Sequence, residues 1–169
     1  MTRVLRHIAV LAAAATLAGP AAAAEGETED FVVTFSEARA RIFSDVCMAS
    51  APGFETWEAR ALAAGFEPAE GSLRFEEILT DLVPDETGEL CGCRMTMYAP
   101  HFPTLLVTMV DRLRADFPAY RSDDSLKGKG YSSIFERDRQ EVVLELNPEK
   151  FEEFDMLAGW VVARGGCPA

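Results

Sequence analysis

The sequence predicts a single α+β domain: a five-stranded, mainly antiparallel sheet with an N-terminal helical pair and one long central helix, stapled by disulfides. Three observations predict it. Apolar residues recur at helical spacing from Phe35 to Ala49 and from Leu105 to Phe117. Between and after these stretches the period drops to two, the signature of half-buried strands. Four cysteines stand behind a segment with the features of an export signal.

That segment is residues 1–24, MTRVLRHIAVLAAAATLAGPAAAA. Arg3, Arg6 and His7 form a positive start, Ile8 to Ala18 an apolar run too short to span a bilayer, and Ala22-Ala23-Ala24 a small-residue cleavage site. It reads as a signal peptide, which places the mature protein in the periplasm or outside the cell. Cutting after Ala24 leaves 145 of the 169 residues, enough for one core-forming domain over residues 31–169. Residues 25–30, EGETED, lack an apolar anchor and read as a flexible acidic N-terminus.

From an N-cap at Thr34 or Ser36, the residues Phe35, Ala38, Ile42, Val46 and Ala49 form one helical stripe. Ala51-Pro52-Gly53 breaks the helix, and Glu55 to Ala64 resumes it through Trp57, Ala61 and Leu62, with Gly65 suited to a left-handed cap. A strand is expected over Ser72 to Thr80, then turn residues Pro84 to Gly88, then a second strand from Leu90 to Tyr98. In this second strand Cys91, Cys93, Met95 and Met97 share one face, while Gly92, Arg94, Thr96 and Tyr98 share the other. Pro100 and Pro103 open the central helix, whose buried stripe is Leu105, Leu106, Met109, Val110, Leu113 and Phe117; Pro118 ends it. Arg121 to Lys129 is turn-like. Strands follow at Tyr131 to Glu136, Glu141 to Leu146 and Leu157 to Arg164, the first two joined by a tight turn at Arg137 to Gln140. Pro148 to Asp155 reads as a short helix or an irregular crossover, since Phe151 and Phe154 fit helical spacing for a turn or two.

The order is therefore ααββαβββ. Its strand-strand-helix-strand-strand-strand core resembles the profilin-like and PAS-like arrangement in element order, a resemblance that implies a scaffold and no particular function.

Four cysteines in an oxidising compartment imply two disulfides. Residues two apart on a strand lie roughly 6.5 to 7 Å apart, at the outer limit for a bridge, so Cys91 with Cys93 would need the strand to buckle. Two long-range bridges need no such distortion and would anchor the first helix and the C-terminal tail to the second strand. Cys47 with Cys93 and Cys91 with Cys167 is the preferred pairing, with the swapped partners close behind. The chemical alternative is a redox-active Cys91-Gly-Cys93 pair serving thiol-disulfide exchange. Both sulfurs, however, project with methionines toward the expected core, whereas a reactive thiolate needs exposure and positive neighbours.

Other motifs are weaker. His101 is the histidine that remains after processing, and without a positioned nucleophile it reads as a capping or surface residue. No Gly-x-Ser-x-Gly elbow is present, and Ser72 and Ser125 fall in turn-like contexts. Lys127-Gly128-Lys129-Gly130 lacks the spacing of a phosphate loop. The acidic clusters Asp81, Asp85, Glu86 and Glu89, and Glu152, Glu153 and Asp155, lack the calcium-loop pattern. No catalytic residues, cofactor or metal are assigned on these grounds.

Charge points to a partner. The chain has 28 acidic and 16 basic residues, net −12; loss of the leader's Arg3 and Arg6 makes it −14. This excludes nucleic-acid binding through a basic face, and no membrane association is expected once the leader is gone. The reading that fits is an exported, non-enzymatic binding module for a basic protein partner, such as a cationic hydrolase, or for a small ligand. A structural subunit of an envelope complex is a further alternative.

Overall fold

The computed structural model describes residues 21–84, 88, 90–116, 121–122 and 130–167. It is an α+β fold with helices packed on an antiparallel sheet and two disulfides. Helix α1 spans Ala21–Val46, a 3-10 turn Met48–Ser50, α2 Trp57–Ala63 and α3 Phe102–Asp116. The strands are β1 Glu67–Ala69, β2 Ser72–Phe75, β3 Ile78–Val83, β4 Gly92–Tyr98, β5 Arg121–Ser122, β6 Tyr131–Arg137, β7 Gln140–Phe151 and β8 Phe154–Ala163.

Among the described residues the sheet has eight strands rather than the expected five, in the order β1-β2-β3-β4-β8-β7-β6-β5. Every neighbouring pair is antiparallel. Two meanders thus meet at the β4–β8 seam, with α3 carrying the chain from one to the other. The extra strands have separate origins. Ser72 to Thr80 is two strands, because the chain reverses at Glu76-Glu77 with Glu76 at φ 53°, a turn whose residues lack the usual glycine or asparagine signal. Glu67–Ala69 and Arg121–Ser122 are edge strands too short to show alternation.

The Pro148 to Asp155 segment is neither helix nor crossover. β7 and β8 run on through it and pair to the hairpin tip, where Phe151 faces Phe154 across Glu152-Glu153. Among the described residues β6 pairs with β7 only as far as Leu146, so Pro148, beyond that point, withholds no described ladder bond on the β6 side. The β6–β7 hairpin turns at Asp138-Arg139, with φ of 53° and 67°, the two positive values that a type I′ turn requires.

Helix α1 begins upstream of the expected N-cap and takes Glu25–Asp30 and the bond after Ala24 into helical geometry. Alanines 21–24 are strong helix formers, and no proline interrupts the stretch that follows. The buried stripe of α1 is rotated from the expected one. It consists of Ser36, Arg39, Ala40, Phe43, Ser44 and Val46 and continues to Cys47 just past the helix, while Phe35 and Ile42 are half-buried and Ala38 is exposed. Three polar residues, Ser36, Arg39 and Ser44, are buried there, so hydrophobicity alone selects the flank.

The core lies between the helices and one face of the sheet. On that face Cys93, Met95 and Met97 of β4, Val142, Leu144 and Leu146 of β7, and Leu157 and Val161 of β8 are fully buried. Phe43 and Val46 of α1 and Leu105 and Met109 of α3 cover them. The two long helices are also linked at the surface, where Arg112 donates to Asp45 at 3.3 Å.

Candidate binding groove

The residues singled out by chemistry take structural positions. Cys47 at the end of α1 is bonded to Cys93, with Cα atoms 5.4 Å apart and a sequence separation of 46. Cys91 is bonded to Cys167, at 5.2 Å and a separation of 76. Cys91 and Cys93 therefore hold different partners instead of each other. Sulfurs 47 and 93 lie 3.9 and 3.5 Å from the buried hydroxyl of Thr80.

His101 precedes α3 and caps it: its Nδ1 accepts the backbone N–H of Thr104 at 3.4 Å and lies 2.6 Å from the Thr104 hydroxyl. Ser72 opens β2. Asp81 is held by two hydrogen bonds from Arg94, at 3.0 and 2.7 Å. Asp85, Glu86, Glu89, Ser125, Phe117, Pro118 and residues 127–129 lie outside the described residues. Among the described residues no three His, Cys, Asp or Glu side chains are grouped as a metal site. No helix among them is long and apolar enough to cross a membrane.

The feature that could bind something is on the opposite face of the sheet. Period-two alternation aims Thr96 and Tyr98 away from the buried sulfur face, and register sets Leu79 opposite Thr96 and Met156 opposite Tyr98. These four side chains floor an open groove of about 690 Å³, within the range of ligand pockets. Arg74 and the Glu76-Glu77 turn form one wall, and the β7–β8 tip, with Glu149, Lys150, Phe151 and Phe154, forms the other.

The groove is continuous with a run of aromatic rings. Tyr98 meets Phe154 edge-on at 6.0 Å and Phe35 of α1 edge-on at 6.1 Å, and Phe35 in turn lies 5.7 Å from Phe31. Phe31, Phe151 and Phe154 remain 61%, 65% and 53% exposed, unusual for so large an apolar ring in three neighbouring places. Arg39 fixes the far wall. Its guanidinium lies 4.1 Å from the Phe35 ring centre and pairs with Glu77 and, at 3.6 Å, with Glu76. Burial pushes its pKa down and Glu76 pushes it back up, a balance that leaves a guanidinium charged at any physiological pH.

The tip is acidic. Glu149, Glu152, Glu153 and Asp155 stand there against Lys150, which is already paired with Asp155. Sequence reasoning missed the groove because Phe151 and Phe154 read as the buried stripe of a short helix. The available signal was a pair of phenylalanines enclosing two glutamates, an apolar pair flanking a polar reversal. No family model matches this chain, and neither a curated protein nor a solved structure shows significant similarity to it.

Proposed function

We propose that this protein is an exported, non-enzymatic binding domain that engages a basic protein partner in the periplasm or outside the cell. The observation that carries the reading is the open groove with Phe151 and Phe154 held out in solvent beside it. Exposed aromatic rings next to a concave surface are what a recognition site requires, because their area is removed from water only when something docks. The net charge of −12, or −14 after leader removal, supports a basic partner by speeding encounter and making binding salt-sensitive. Two long-range disulfides suit a domain that must survive outside the cytosol.

The test is capture from periplasmic extract with the oxidised protein at low and high salt, together with ligand screening by thermal shift. A basic protein retained at low salt and released at high salt supports the reading. Recovery of no salt-sensitive partner, with no thermal shift, removes it.

A further inference from the structure

We propose that the groove takes a lysine- or arginine-bearing peptide segment of the partner, its apolar side chain laid on Tyr98 and Met156 and its cationic groups against the acidic β7–β8 tip. The inference rests on the binding reading above and adds the place and chemistry of recognition.

Three observations favour this occupant. The floor is apolar and aromatic, so it removes an inserted apolar side chain from water. The tip carries Glu149, Glu152, Glu153 and Asp155 against Lys150, whose charge Asp155 already answers. Of these, Glu149 lines the groove and Glu152 and Glu153 stand at the turn just beyond it, so the tip end of the groove carries more acidic than unpaired basic groups and disfavours an anionic ligand such as a fatty acid. The rings of Phe151 and Phe154 also present faces to which a guanidinium or ammonium is attracted. The opposite wall sets an orientation. Arg74 stands there, so the cationic groups of the segment turn toward the tip and the neutral part lies near Arg74.

The probes are three labelled, end-capped heptapeptides followed by anisotropy: one alternating lysine with leucine or phenylalanine, a second with glutamate for lysine, a third with serine for the apolar residues. The lysine–apolar peptide is expected to bind, and to bind several-fold more weakly when salt rises from about 50 to about 300 mM. The glutamate and serine peptides are expected not to bind.

Phe151→Ser with Phe154→Ser, and separately Glu149→Gln with Glu152→Gln and Glu153→Gln, should each weaken binding about tenfold or more. Arg74→Gln should tighten it. Glu55→Gln with Glu58→Gln and Glu70→Gln, which lowers charge equally at exposed positions outside the groove lining, should leave affinity unchanged.

Glutamate or serine peptides binding as well as the lysine–apolar one would overturn the proposal. So would groove variants that bind as the parent does, or a Glu55, Glu58 and Glu70 variant that loses as much as the tip variant. Each groove variant is checked by its thermal midpoint: the glutamine variants should match the parent because their side chains are exposed, and the double serine variant should fall by no more than the loss of the Tyr98–Phe154 ring contact explains. If the groove variants still capture the basic partner from extract, the location fails and the binding reading stands. Peptides bound at the groove with no partner captured give the reverse.

Discussion

Trp57 donates its indole Nε1–H to the hydroxyl of Thr80 at 3.2 Å, and Thr80 donates in turn to the carbonyl of Arg94 at 2.9 Å. Thr80 has no exposed surface, so this relay ties α2 to the β3–β4 hairpin inside the core, beside the Cys47–Cys93 bridge.

Replacing Thr80 by valine keeps the shape and strands a buried indole N–H without an acceptor. The expected cost is about 1–3 kcal/mol, measured by urea unfolding of the oxidised protein. Thr80→Ser keeps the oxygen and should lose less. A valine variant as stable as the parent would show that the indole finds another acceptor.

Gly159 of β8 lies under the ring of Phe43: a Cβ there would stand 2.5 Å from Phe43 Cε2 and 3.2 Å from Leu146 Cδ2. Gly159→Ala should therefore destabilise by about 1–3 kcal/mol through overpacking. Combining it with Phe43→Leu should cost less than the two changes added together, because the smaller side chain yields the space. Strict additivity would mean that the contact does not limit packing.

These two contacts show how far the sequence reached. The sulfur-bearing face of β4 was legible because strand alternation is local: Cys93, Met95 and Met97 all lie in the core. The central helix was legible for the same reason, with Leu105, Met109 and Leu113 buried as their spacing implies. The α1 stripe was displaced because Arg39 and Ser36 are buried polar residues, and Arg39 is buried only because Glu76 and Glu77 reach it from a distant turn. The groove was illegible for a related reason. Its floor joins β3, β4 and β8, and its wall depends on Phe151 and Phe154 being paired across a turn, which only the register reveals.

The two disulfides should part company under mild reduction. Cys47 and Cys93 are fully buried, whereas Cys167 is partly exposed near the C-terminus. Access governs thiol attack, so Cys91–Cys167 should open first, with the fold retained. Stepwise alkylation followed by peptide mass mapping reads the order. Loss of either bridge removes a long-loop constraint worth about 4 kcal/mol if its effect is loss of chain entropy, so each single-bridge variant should melt well below the parent. Labelling of Cys47 and Cys93 ahead of Cys91 and Cys167 would contradict the burial argument.

Arg39 couples the first helix to the groove wall. Its side chain is 8% exposed and held by Glu77, Glu76 and the Phe35 ring, while Arg39 Nε has no hydrogen-bond partner among the described residues. Glu77→Ala leaves a buried cation with the weaker, more exposed Glu76, and should cost about 1–3 kcal/mol. Arg39→Met removes the charge and keeps much of the stem's packing on Phe35, so it should cost less than Glu77→Ala. The double variant should resemble Arg39→Met alone, because Glu77 is solvated once its partner is gone. Chemical denaturation of the four proteins closes the cycle. Should Arg39→Met prove the costlier single change, the ion pair contributes net stability instead of compensating for its own burial.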